Sequence, residues 1–397
     1  MNIITILFML FAVMMPLSKS IANAFMIVAV IVTIWAITKY KSDHYLQGFL
    51  LQPFIKPIFI FLGCVLITIP FSSNILISLR EYYHLIGDMV SFFAFIFLMT
   101  IRTNYAISTK HIIHSFFVGL FFSCVYLFYQ CYVTKEIGLS GLYGNRAFLG
   151  FILEVGIPLV LSMALAAKSI KDRLIYGILF FIYTIAILLT HARGPWLGTL
   201  VGVAVVFYLY RNIFSKKMIV AALIGISLLA VLTAPFYWER GKTLFDIHHI
   251  TNAQRIHIWQ YTSQMIKDHP LTGIGLGQYP VTYPTYIDSN ENLIRETPHA
   301  HNSYLMIFAE AGILGFLAFI NLLVFIGLRL RVILLQYACK DCAVGFIGIF
   351  SAILITSAVD NAFFSAYISK MFWLILGILV YSAENEKKFG EYTTTLE

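Results

Sequence analysis

Charge is what this chain has least of. Of its 397 residues only 12% are Asp, Glu, Lys or Arg, against 60% hydrophobic, and mean hydropathy is +0.84. Soluble domains carry about a quarter charged residues, so a water-soluble globular protein is excluded. Cysteine is scarce as well: Cys64, Cys124 and Cys131 fall in or at the ends of apolar runs, and Cys339 and Cys342 form a CxxC without a second pair. That lone pair, in an expected cytoplasmic turn, argues against a zinc or redox centre. There is no Asp-x-Asp pair. Carboxylates of that kind hold the metal that neutralises a nucleotide-sugar diphosphate, so a diphosphate bound here has to be met by arginines. Period-two alternation is missing from the apolar runs, which excludes membrane strands. No repeat, low-complexity segment or domain boundary breaks the chain.

What is present is length of apolar sequence. Twelve runs approach the roughly 20 residues a spanning helix needs: 3–17, 21–38, 57–69, 86–101, 112–129, 148–166, 174–190, 196–210, 218–234, 303–328, 343–358 and 368–382. Lipid leaves helices as the way to satisfy such backbones, so the fold class is an all-α integral membrane protein of about twelve helices. Ala22-Asn23-Ala24 mimics a signal-peptidase site, but no basic residue precedes the first run, so that run is expected to stay as a helix. Sixteen Lys and Arg fall in one set of loops and six in the opposite short loops. This bias places both termini in the cytoplasm and accounts for the net charge of +8 without nucleic acid. Residues 1–383 therefore read as one membrane domain with a cytoplasmic tail at 384–397. The connection 235–302 reads as one large outer loop, too long for a turn and expected to hold structure of its own. Thr251-Asn252-Ala253-Gln254 fits a capping box, predicting an amphipathic helix over 252–268 that stops before Pro270.

Chemistry concentrates where this loop leaves and rejoins the bilayer. Arg255 and Trp259, four apart, share a helical face. Gly273, Gly275 and Gly277 do not follow a strand, so a nucleotide loop is rejected in favour of a tight fold-back against the membrane surface. His301 precedes Asn302, a helix-capping residue, and the helix beyond carries Gly312 and Gly315 on what reads as a close-packing face. No further ligand at metal spacing accompanies His299 and His301, so no metal is expected. An imidazole at the membrane rim suits proton transfer; it either removes a proton or positions an acceptor. Arg193, in the short turn 190–196, either binds a phosphate bidentately or snorkels to lipid headgroups, and Arg146 is placed similarly. Asp88, Glu154, Glu310 and Asp360 lie inside or beside apolar runs. Such carboxylates pair with an arginine or cap a neighbouring helix; Glu310 is assigned a supporting role.

Together these residues resemble the O-antigen ligase family. The resemblance rests on His301-Asn302, nine residues, then Gly312-Ile313-Leu314-Gly315; on Arg193-Gly194, with Ala192 where the family has a serine-like residue; and on Arg255 near Ile258-Trp259, followed by His269-Pro270-Leu271-Thr272-Gly273-Ile274-Gly275. It implies a bundle like that of the C-type glycosyltransferases with a periplasmic loop, in the inner membrane of a Gram-negative bacterium. It implies transfer of O-antigen polysaccharide from undecaprenyl diphosphate to a sugar hydroxyl of lipid A–core, with inversion and without metal or nucleotide cofactor. On that reading His301, Arg193 and Arg255 are catalytic. Arg146, Trp259, Asn302 and Glu310 bind substrate, and Gly312 and Gly315 are structural. Membrane lipids surround the site. The rivals are a polysaccharide polymerase using the same donor and, from another class, a flippase for lipid-linked sugars; clustering of ionisable groups toward one face favours an enzyme.

Overall fold

The computed structural model describes residues 3–39, 45–100, 107–135, 139–213, 242, 246, 249–287, 297–336 and 340–394. Among these no strand occurs. The helices are α1 (Ile3–Met14), α2 (Lys19–Lys39), α3 (Tyr45–Leu50), α4 (Ile55–Thr68), α5 (Ile75–Thr100), α6 (Thr109–Thr134), α7 (Arg146–Ala166), α8 (Ile170–Leu189), α9 (Arg193–Leu209), α10 (Ile250–Asp268), the single turn α11 (Tyr279–Thr282), α12 (Ser303–Gln336), α13 (Lys340–Ser357) and α14 (Ala366–Thr394). Seven of them, α5 to α8 and α12 to α14, are long and apolar enough to cross a membrane, and α1, α2, α4 and α9 are shorter apolar helices. This is a multi-pass membrane protein. Eleven of the twelve predicted runs lie on these helices; the run at 218–234 lies outside the described residues.

α7 is the hub. It is almost wholly enclosed, whereas α8 beside it is mostly exposed. It packs on α8, α9 and α13. Small residues permit the close approach, as expected where lipid removes the hydrophobic drive between helices. A Cβ at Gly198 of α9 would strike Thr356 Oγ1 and Glu154 Oε1, and one at Gly202 would strike Gly348 O on α13. Elsewhere α1 packs on α2 and α6, α4 on α12, and α5 on α14.

Three local expectations are corrected. α5 begins at Ile75, eleven residues before the predicted run, because Ser78, Arg80, Glu81 and His84 suppress hydropathy without suppressing helix. α10 begins at Ile250 with His249 at the cap position and no side-chain cap, so Thr251 is inside the helix rather than capping it. The face expected to carry His301, Gly312 and Gly315 is not continuous. Gly312 is non-helical, at φ 60° and ψ −165°, and breaks α12 nine residues after it starts. The break exists because another segment occupies it: Ile313 N donates to Pro270 O at 2.9 Å, and a Cβ on Gly312 would lie 2.3 Å from Leu271 O.

Candidate functional site

The glycine run folds back tightly and docks onto that break. Ile274 N donates to Ala309 O (2.9 Å) and Gly275 N to Glu310 O (3.0 Å). Gly273, Gly275 and Gly277 all have positive φ, the region that favours glycine. On the far side the start of α5 holds the loop: Ser78 Oγ donates to Leu276 O (2.8 Å) and Gln278 Nε2 to Asn74 O (3.1 Å). The Glu310 carboxylate is buried beneath, accepting from Tyr279 N at 3.2 Å and from Gly277 N. No arginine meets it among the described residues. Glu310 therefore pins the loop.

With the loop fixed, α10 lies beside the start of α12. Trp259 Nε1 donates to Ala300 O (3.0 Å), tethering the segment just before His301. Asn302 caps α12: its Oδ1 accepts from Tyr304 N (2.9 Å) and Leu305 N (3.0 Å), and its Nδ2 donates to Ala358 O (2.9 Å). Both side chains thus fix backbone. His301 sits between these anchors at φ 48°, a left-handed conformation that a side-chain-bearing residue adopts at a cost and that recurs at functional positions.

His301 is aimed at Asp360, in the turn between α13 and α14. His301 Nδ1 stands 3.2 Å from Asp360 Oδ1, and Arg255 Nη2 donates to Asp360 Oδ2, also at 3.2 Å. Burial by itself would raise the Asp360 carboxyl. The His301 hydrogen bond and the Arg255 charge outweigh burial and hold it at about 2, so it is a carboxylate at neutral pH. A carboxylate only accepts, so the proton shared with His301 belongs to Nδ1. In the neutral imidazole Nε2 then carries the lone pair. His299 lies against His301, ring centroids 4.3 Å apart, and its Nδ1 accepts from His301 N (3.3 Å). Burial, with the neighbouring His301, lowers the His299 imidazole to about 4, so it is neutral.

Arg193 joins from α9. Thr190 ends α8, His191 turns at φ 54°, and Arg193 is the first residue of α9, with Trp196 Nε1 clamping the turn on Ile187 O (2.7 Å). Arg193 donates to Thr251 Oγ1, one turn before Arg255 on α10. Gly194, its neighbour, lies against Asp360 and Thr356, where a Cβ would be 3.7 and 3.6 Å away. Arg255 and His301 thereby meet on one carboxylate, with Arg193 held one helical turn away through Thr251. Arg146 is exposed at the start of α7, and among the described residues no contact joins it to this group. Gly315 is packed inside α12, close to Val65 of α4.

Asp360 is the residue that sequence reasoning missed as a centre, treating it as a structural carboxylate. It follows His301 by 59 residues and Arg255 by 105, so no local motif contains it. The same separation hid a possible ligand set: His299, His301 and Asp360 each offer an atom within 4.8 Å of the others. Arg255 already neutralises that carboxylate. Glu154 is buried under α9, accepting from Thr356 Oγ1, a structural placement.

Residues 178–320 match the family model described as O-antigen ligase. The match contains Arg193, Arg255, Trp259, His301, Asn302, Glu310, Gly312 and Gly315, and excludes Arg146 and Asp360. An uncharacterized protein of Haemophilus influenzae is 26% identical over 250 residues, covering 57% of this chain and 61% of that relative. The chain thus matches less than two thirds of that relative's length. Through residues 178–320, with Arg193, Arg255 and His301 inside them, the chain is similar to the O-antigen ligase family.

Proposed function

We propose that this cluster transfers O-antigen polysaccharide from undecaprenyl diphosphate to a sugar hydroxyl of lipid A–core, at the periplasmic face of the inner membrane. The observation that carries the reading is Asp360 holding His301 and Arg255 at once, 3.2 Å from each. The bond that breaks joins the donor's anomeric carbon to the diphosphate, and its electron pair leaves with the phosphate oxygen. Arg255 and Arg193 neutralise that growing charge; a single preorganised donor at such a position is worth about 100- to 1000-fold in rate. The bond that forms joins the same carbon to the acceptor oxygen, entering from the opposite face, so the centre inverts. The acceptor's proton passes to His301 Nε2, and Asp360 steadies the imidazolium that results. Asp360 is the positioning residue. No step draws on a metal, so transfer persists in excess EDTA.

The test pairs a genetic and a site measurement. In a strain lacking this protein, full-length lipid-linked polysaccharide should accumulate while lipid A–core stays bare. Lipid-linked chains stalled at one repeat would replace the ligase reading with a polymerase. Donor trapped on the cytoplasmic leaflet would replace it with a flippase. Arg193→Ala, Arg255→Ala and His301→Ala should each insert normally and abolish complementation. Activity retained by His301→Ala removes the base assignment but leaves the ligase reading in place.

A further inference from the structure

Two features stand outside the transfer steps above. One is a cavity between α2, α5 and the start of α14, lined by Lys19, Asp88 and Lys370. The other is the carboxyl of Glu154 on α7, fully enclosed in the bundle. Glu154 Oε1 accepts from Thr356 Oγ1, and its Oε2 meets no hydrogen-bond donor among the described residues. No ion pair reaches it among those residues either. An ionisable group inside a spanning helix is expensive and marks a function. Room for it is made on α9, where a Cβ on Gly198 would strike both Glu154 Oε1 and Thr356 Oγ1. Glycine weakens a helix interior, yet α9 carries one where this pair meets.

Thr356 departs from the habit of helical hydroxyls, which bond the carbonyl four residues back. Thr184, Thr262 and Ser351 do so here, on Phe180 O (2.7 Å), Ile258 O (2.6 Å) and Ile347 O (2.9 Å). Thr356 Oγ1 instead reaches across to Glu154 on α7 and lies 3.3 Å from Gly194 O on α9. One hydroxyl thus joins three helices. Both ends of that junction lead to the candidate site. Thr356 O accepts from Asp360 N (2.8 Å) and Val359 N (3.0 Å), so Thr356 anchors the turn that carries Asp360. Gly194 follows Arg193 directly, and a Cβ on it would lie 3.7 Å from Asp360 Cβ. The placement of Glu154 is structural in kind, but what it holds together is the arginine turn and the carboxylate turn. In the transfer these have separate duties, the leaving group for Arg193 and the orientation of His301 for Asp360. A shift of about 1 Å between such groups can cost about 100-fold in rate.

We propose that Glu154 and Thr356 are positioning residues: they touch no substrate and, through one hydroxyl, fix the spacing between the Arg193 turn and the Asp360 turn. Their effect on transfer rests on the ligase reading; the tie between the turns does not.

The experiment uses the full chain in nanodiscs and reads kcat, both KM values, Tm and hydrogen exchange. Glu154→Met and Thr356→Val should each lower kcat by about tenfold or more and leave KM for donor and acceptor within about twofold. Glu154→Gln keeps an oxygen for Thr356 and Thr356→Ser keeps the hydroxyl, so each should retain about half or more of wild-type kcat. Tm separates positioning from bulk stability. Thr356→Val strands a buried carboxyl and should lower Tm; the double variant Glu154→Met with Thr356→Val removes both partners and should restore Tm while kcat stays low. Recovery of kcat along with Tm overturns the proposal, as does wild-type kcat in Glu154→Met. Exchange decides the tie without any transfer assay. In Glu154→Met the amides of 193–198 and 357–361 should exchange about tenfold faster, with 270–278 unchanged. Unchanged exchange at both turns overturns the proposal. If wild-type protein transfers nothing to lipid A–core, the ligase reading fails, and faster exchange at the two turns still upholds the tie.

Discussion

Two buried carboxylates stand at the same end of this bundle and do different work. Glu310, inside α12, accepts from the backbone of Gly277 and Tyr279. Asp360, in the turn after α13, accepts from Arg255 and His301. From the sequence Glu310 had the stronger claim, because it follows His301 by nine residues inside the same motif. The folded chain reverses the ranking. A carboxylate that meets only backbone N–H groups organises chain; one that meets a cation and an imidazole organises charge and proton position. Glu310 holds the loop that fills the break at Gly312, whereas His301 is set against Asp360 by the anchors at Ala300 and Asn302.

The largest test of this contrast is Asp360→Ala. It should cut transfer by about 100-fold or more, because truncating one member of a buried charge pair costs roughly 2–5 kcal/mol and leaves Arg255 and His301 unheld. Substrate-independent insertion and expression should be retained; wild-type kcat would break the comparison. Next is Gly312→Val. A side chain there faces positive φ, worth about 1–3 kcal/mol, and backbone atoms of Leu271 within 2.4 Å. The expected result is a marked fall in Tm, with protease cutting within 270–278 as the loop comes off. Smaller still is Glu310→Gln. Its amide turns one acceptor into a donor facing a backbone N–H, at about 1–3 kcal/mol. Tm should drop while kcat per folded molecule holds; a kcat loss as large as that of Asp360→Ala would merge the two carboxylates into one role. The least effect concerns His299. Its folded-state value of about 4 lies below the roughly 6.5 of an unfolded histidine. Between those values the unfolded chain takes a proton that the folded chain refuses, so stability falls as pH drops from about 6.5 toward 4. His299→Gln should flatten that part of the Tm–pH curve, and an unchanged curve would show that His299 is solvated.

Much of the bundle was readable because hydropathy is a local property: each span at 148–166 or 303–328 announces itself by its own residues. The capping role of Asn302 was readable for the same reason, since cap and capped amides are neighbours. The start of α10 was misplaced because Thr251 had two possible partners. The local one, a backbone N–H, lost to a distant one, Arg193, which the sequence could not weigh. The glycines of the loop and of α12 were visible as residues but not as a pair of surfaces made for each other.

By itself, then, the chain determined a helical membrane protein, the family it resembles, and the identities of Arg193, Arg255 and His301. Each is written in composition or in short fixed spacings. Only the tertiary structure decided that Arg255 and His301 meet at Asp360 with Arg193 one helical turn away, that Glu310 serves the loop, and that a charged cavity opens beside them. The reason is physical: a carboxylate takes its role from whatever the fold brings within about 3 Å of it, and here those partners come from segments 59 and 105 residues away.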